Sequence, residues 1–170
     1  TFVYLGSNFN QMDDDASDVD RRIQRGNEVT AKLNRLLWNR NTPRRLKVKM
    51  IMTFIYPTVT YGCETWVLSP ELRTHLDTWW MKLMRRARGV TKEDRLRSEI
   101  ILRDLKASKL SEMVEERQLR YAGHVWRYPE ARWAKFMLQA ERPAQKTGKQ
   151  QQYCKYLSKM LKNKNLDTGM

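Results

Sequence analysis

Val19, Ile23, Gly26, Thr30, Leu33 and Leu37 recur at spacings of 4, 3, 4, 3 and 4. That period places all six on one face of a helix, so the segment must fold as a long amphipathic helix whose apolar face another element covers. Asp18 and Asp20 lie near its positive N-terminal end. Its other side carries Arg21, Arg22, Arg25, Lys32 and Arg35, and Asn39 to Asn41 break it. A second stripe, Leu72, Leu76, Trp79, Trp80, Leu83 and Ala87, starts at Ser69-Pro70, a capping hydroxyl followed by proline at the first helical position. Gly89 stops it, and Lys82, Arg85, Arg86 and Arg88 crowd its last turns, where the helix dipole favours cations. Thr42-Pro43 repeats the start signal for a third stripe, Leu46, Met50, Phe54 and Ile55, which Pro57 and Gly62 kink or end.

The remaining segments complete a mostly α fold. Val3-Tyr4-Leu5 is β-prone and stopped by Gly6, so it reads as the end of a strand, and Ser7 to Asp15 as a polar loop. A shorter helix is expected over Arg95 to Leu105. A further helix is capped by Ser108 or Ser111 and ended by Tyr128-Pro129. Ala131 to Leu138 suits a short helix. Ala140 to Gln152 is polar and aperiodic, a linker or flexible arm, and Tyr153 to Leu161 suits a last weak helix. The expected organisation is an end-of-strand segment with its loop (1–15), a helical domain (16–139) and a flexible basic C-terminal arm with a terminal helix (140–170).

Charge narrows the function. The 170 residues hold 33 Lys and Arg against 19 Asp and Glu, a formal net charge of +14. The sequence pI is near 10.0, in the range where nucleic acid is the default partner of a soluble chain. Asp13, Asp14, Asp15, Asp18 and Asp20 crowd the start, so the remainder is more basic than the mean. No apolar run approaches the roughly 18 residues of a spanning helix, and no basic segment opens a secretory signal. No membrane is therefore expected, and an intracellular location, nuclear or cytoplasmic, is. A first residue of Thr suggests a piece of a larger protein or a processed one. Cys63 and Cys154 are far apart, which points to a reducing compartment rather than a disulfide framework. With His75 and His124 they fall at no zinc-ligand spacing, so no metal site is expected.

Arg117, Arg120, His124 and Arg127 fall 3, 4 and 3 residues apart and share one helical face. A cationic stripe of this kind seeks an anionic partner. The alternative is a solvated charged face with Tyr121 and Trp126 turned into the core. Gly123 inside that helix costs about 1 kcal/mol against alanine, which close packing or close approach of a backbone would explain. Among catalytic motifs, no G-x-S-x-G, P-loop or H-E-x-x-H occurs. The run Asp13-Asp14-Asp15 is the densest carboxylate cluster, and it reads as helix capping rather than a two-cation clamp.

Several blocks carry a resemblance. Tyr4-Leu5-Gly6, Arg22-Ile23, Tyr61-Gly62-Cys63-Glu64-Thr65-Trp66, Arg86-Ala87-Arg88-Gly89-Val90, Asp94-Arg95 and Arg117-Gln118-Leu119-Arg120-Tyr121-Ala122-Gly123-His124-Val125-Trp126-Arg127 occur in that order. Together they resemble the C-terminal third of non-LTR (LINE-type) retrotransposon reverse transcriptases, across residues 3 to 135. The Y-G-x-E-T-W and L-R-x-x-G-H-V-x-R blocks are the specific ones. The resemblance implies the end of a polymerase palm, then a helical thumb-like bundle and linker. The family's catalytic Asp residues lie upstream and are absent, so no polymerase activity is expected of the chain by itself. No cofactor is expected in it either, magnesium belonging to the palm. Thr147-Gly148-Lys149-Gln150 stands where the family's basic G-R-P segment is expected.

A thumb grips primer–template through phosphates without reading sequence. The candidate contacts are Arg21, Arg25, Lys32, Arg35, Arg85, Arg86, Arg117, Arg120, His124 and Arg127. His124 could instead hydrogen-bond a backbone carbonyl in the core. Trp66, Trp79, Trp80 and Tyr61 could stack on bases, but beside leucines at helical spacing they suit the core. Glu64 suits a partly buried carboxylate paired with an arginine. Three functions follow: a thumb and linker binding RNA, DNA or an RNA–DNA hybrid alongside the rest of a polymerase; a non-enzymatic RNA- or DNA-binding module derived from a retrotransposon; or a protein-interaction module with an exposed tryptophan-rich face.

Overall fold

The computed structural model describes residues 2–4, 7–9, 15–129, 132, 134–135 and 153–163. The chain is mostly helical. The described elements are β1 (Phe2–Tyr4), β2 (Ser7–Phe9), α1 (Asp15–Trp38), α2 (Arg44–Met50), α3 (Tyr56–Val59), α4 (Pro70–Arg88), α5 (Ser98–Leu105), α6 (Leu110–Trp126) and α7 (Tyr153–Asn163). The segment read as a loop after Gly6 is in part a strand. Ser7–Phe9 pairs antiparallel with Phe2–Tyr4, with Phe2 opposite Phe9, so the first strand gains the partner that its backbone requires. Residues 140–152 and most of 131–138 lie outside the described residues.

The described residues fall within two compact units. One is drawn from Thr1–Gly62 and Leu68–Met113, the other from Cys63–Val67 and Val114–Met170. In the first unit α1 buries Val19, Ile23, Gly26, Thr30 and Leu37, and α4 buries Leu76, Trp79, Trp80, Leu83, Met84 and Ala87. Both faces follow the predicted stripes, except that Leu33 and Leu72 are only half-buried. A Cβ at Gly26 would stand 2.5 Å from Val59 Cγ2 and 2.9 Å from the Trp79 ring, so glycine here lets α1 approach α3 and α4 closely. Thr30 hides its hydroxyl by donating to the Gly26 carbonyl at 2.7 Å. The two buried indoles keep their N–H groups partnered: Trp79 donates to Asn27 Oδ1 at 2.8 Å, and Trp80 to the Ser108 carbonyl at 3.0 Å.

The two proline start signals end differently. Ser69 caps α4, its hydroxyl accepting from the Leu72 N–H at 3.3 Å, and Gly89 closes the helix at φ 79°. Thr42 does not cap α2. Pro43 itself occupies the cap position, and its carbonyl accepts from Leu46 and Lys47. The third stripe is also shifted. Leu46 and Phe54 are exposed, while Lys47, Ile51, Ile55 and Val59 are buried. A π-helical turn, Ile51–Ile55, stands just ahead of Pro57. Proline lacks an N–H and crowds the preceding turn, and widening that turn moves the buried face onto a spacing of four. Arg22, placed by its spacing on the polar side of α1, is buried instead. Its side chain lies 3.8 Å from Asp18 and 4.7 Å from the centre of the Tyr61 ring.

In the second unit the buried side chains include Cys63, Trp66, Val114, Gln118, Val125, Tyr156, Leu157 and Met160. Gln118 Nε2 donates to the carbonyls of Cys63 at 2.8 Å and Trp66 at 2.7 Å. Its Oε1 accepts from the Tyr156 hydroxyl at 3.1 Å. One amide thereby joins the turn at residues 63–66 to α6 and α7, and Tyr153 adds a bond to the Glu64 carbonyl. The terminal helix, weak by sequence, is anchored here by three buried side chains and two tyrosine hydroxyls. Lys155 and Lys159, both exposed, interrupt its apolar residues in the sequence.

Candidate nucleic-acid interface

Helix α6 begins at Leu110, so neither expected serine caps it by its own side chain. Ser108 precedes it and Ser111 lies within it. Asp77 of α4 serves instead, accepting from the Ser111 N–H at 2.9 Å and from its hydroxyl at 2.7 Å. A carboxylate at a helix N-terminus satisfies an orphan donor and complements the dipole.

Farther along α6, Arg120 and His124 are exposed and Arg117 is half-buried, and Arg127, in the turn just past the helix, is exposed. The cations differ in how far they are neutralised. Arg117 is paired with Glu64, the carboxylate for which an arginine partner was expected. Arg120 reaches Glu116, one turn earlier, at 2.8 Å. His124 lies against Tyr128, its Nε2 3.0 Å from the hydroxyl. It is not held by a core carbonyl, because its ring is exposed. Arg127 has no carboxylate partner among the described residues. The face is therefore most cationic at the C-terminal end of α6.

Two cations overlooked in the sequence extend that end. Arg132 stands 5.0 Å from the centre of the Tyr128 ring, and Lys135 stands 5.8 Å from that of Trp126. An aromatic followed by a cation several residues later was the available signal. Tyr121 and Trp126 are 38% and 40% exposed, so neither turns fully into the core. Gly123 is open: the nearest described atom to an added Cβ would be Arg127 Nη1 at 3.9 Å. Packing among the described residues does not account for it.

The other candidate contacts lie in the first unit. Arg25, Lys32 and Arg35 are exposed and Arg21 half-buried, along one row of α1 that Glu28 interrupts. Arg85 and Arg86 are half-buried and partly structural. Both terminal nitrogens of Arg85 donate to the Leu96 carbonyl at 3.2 Å, and the Arg86 guanidinium lies 4.5 Å from the centre of the Trp38 ring. Arg88 holds Asp104 at 2.6 Å. Trp66, Trp79 and Trp80 are buried and unable to stack on bases, whereas Tyr61 is exposed beneath Arg22.

Burial pushes the Cys63 thiol up to about 12, with Glu64 adding to the effect and Arg117 opposing it. The thiol is inert at neutral pH. Among the described residues no three His, Cys, Asp or Glu side chains converge to hold a metal ion. No helix among them is long and apolar enough to cross a membrane.

The chain is similar to a putative uncharacterized transposon-derived protein of Caenorhabditis elegans, at 24% identity over 140 residues, which is 80% of this chain. It spans about half, 50%, of that relative's length. The likeness supports a transposon origin. No protein-family model matches the chain, and no solved structure matches it.

Proposed function

We propose that this chain is the thumb and linker portion of an RNA-directed DNA polymerase from a non-LTR retrotransposon, and that it grips primer–template through phosphate contacts. The observation that carries this reading is the solvent face of α6. There Arg120 and His124, with Arg127 just past the helix, are exposed within the Arg117–Arg127 block that resembles the family, and Arg132 and Lys135 extend the charge. The similarity to a transposon-derived protein and the net charge of +14 support it. On this reading the partners are RNA, DNA or an RNA–DNA hybrid and the rest of a longer polymerase, whose palm supplies the catalytic carboxylates and magnesium.

Arginine and lysine side chains along a helix displace counterions from phosphates, and this works on any sequence. The test is binding of the chain to RNA–DNA hybrids of unrelated sequence over a range of salt. Affinity should be the same for each sequence and should fall linearly in log–log form, at about −0.9 per phosphate neutralised on a B-form duplex. Absence of binding, or binding indifferent to salt, contradicts the reading.

A further inference from the structure

We propose that the first unit carries a second nucleic-acid site, for an unpaired strand, centred on the stacked pair Trp38 and Arg86. It goes beyond the duplex grip assigned to α6 and draws on residues of the first unit alone.

The first observation is charge. Between Glu28 and Glu64 the chain contains no Asp or Glu. Lys32, Arg35, Arg40, Arg44, Arg45, Lys47 and Lys49 occupy that stretch, and these seven cations amount to half of the net charge of +14. All are exposed except the buried Lys47. None of the ion pairs among the described residues draws on them, in contrast to Arg117 and Arg120. This surface therefore keeps its full positive field.

The second observation is an aromatic set within that field. Trp38 ends α1 with 53% of its surface exposed, while Leu37 beside it is fully buried. The Arg86 guanidinium, from the last turn of α4, lies 4.5 Å from the centre of the indole ring. It covers one face and fixes the ring plane. The remaining exposure is enough to receive a second planar group. Arg35 lies one turn before Trp38 on the same helix. Arg40, Arg44 and Arg45 follow it across a turn fixed by Thr42 N–H donating to the Asn39 carbonyl at 3.2 Å and Asn41 N–H donating to Asn39 Oδ1 at 2.9 Å.

A flat aromatic bordered by arginines is the chemistry that holds single strands: bases stack on the ring and cations follow the backbone. In a duplex the bases already stack on one another, so duplex gains nothing from Trp38. An anionic membrane would attract the same charge, but an indole clamped by a guanidinium is poorly placed to insert among acyl chains.

The test uses the intact chain and fluorescence anisotropy with a short oligouridylate, an RNA–DNA hybrid and anionic vesicles. Trp38→Leu should weaken oligouridylate binding about 5-fold or more and leave hybrid binding unchanged. Trp38→Phe should retain most of the affinity. Replacing Arg40, Arg44 and Arg45 with glutamine should flatten the single-strand salt slope by about two units, at −0.7 per phosphate. Replacing Arg120 and Arg127 with glutamine should weaken the hybrid and spare the oligouridylate. If that last variant binds hybrid normally while Trp38→Leu loses the single strand, the α6 reading fails and the second site stands. Equal loss on both ligands with Trp38→Leu, no loss on either, or binding to vesicles without binding to oligouridylate overturns the second site.

Discussion

The two compact units solve the problem of burial in opposite ways. The first packs aliphatic side chains and two tryptophans along stripes of helical period. The second has fewer buried apolar groups and gathers its elements around one buried amide, Gln118. Apolar packing is non-directional and tolerates change of shape better than loss of volume. A hydrogen-bonded amide is directional, and removing it takes a donor from two buried carbonyls and an acceptor from a buried hydroxyl. The two units should therefore respond differently to the same kind of substitution.

The largest effect is expected in the first unit. Trp80→Ala removes a fully buried ring and should cost about 3–5 kcal/mol in urea unfolding, whereas Trp80→Phe should recover much of it. In the second unit Gln118→Leu conserves volume yet strips the Cys63 and Trp66 carbonyls and the Tyr156 hydroxyl of a partner. A loss of about 2–4 kcal/mol is expected. Should Gln118→Leu unfold at the parent urea concentration, the amide adds no net stability and the contrast between the units is wrong.

The glycines sharpen the contrast with opposite signs. Gly26→Ala drives a methyl into Val59 and Trp79, both buried, so overpacking of about 1–3 kcal/mol outweighs the gain in helix propensity of about 1 kcal/mol. Gly123→Ala meets open space and should stabilise by up to about 1 kcal/mol. Thermal melts of the two variants displaced in the same direction would break the argument.

These residues also mark what the sequence could and could not disclose. The core faces of α1 and α4 were legible because a stripe of period 3.6 and a serine or glycine cap are local signals. The face at Ile51–Val59 was misread because a π-helical turn before Pro57 changes the period. Arg22 was misplaced because spacing records direction, not whether Asp18 and Tyr61 stand ready to receive a guanidinium. The hub at Gln118 left no sequence signal, since its partners are backbone carbonyls 52 and 55 residues away. Of the candidate interface, the cationic row on α6 was legible. Glu64 was legible as an arginine's partner, but that the arginine is Arg117, that Glu116 offsets Arg120, and that Arg132 and Lys135 lie over aromatic rings required the fold.

A smaller effect concerns pH. The Cys63 thiol is raised from 9.0 to about 12 in the folded chain. The unfolded chain therefore releases its thiol proton first as pH rises. This stabilisation is whole below the ordinary thiol value and is lost as pH climbs from there towards about 12. Melting temperature over that alkaline window should fall more steeply for the parent than for Cys63→Ala. Parallel curves would mean that the thiol ionises as freely folded as unfolded.

On the proposed function the exposed end of α6 carries phosphate contacts while Arg117 serves the fold. The direct measurement is the salt dependence of RNA–DNA hybrid binding by Arg120→Gln/Arg127→Gln, set beside Arg117→Gln. The double variant should flatten the log–log slope by about two units for every sequence and melt within about 0.5 kcal/mol of the parent, as surface substitutions do. Arg117→Gln should lose stability through Glu64 while changing the slope by less than one unit. A double variant with the parent's slope, or one that unfolds, would place the nucleic acid elsewhere.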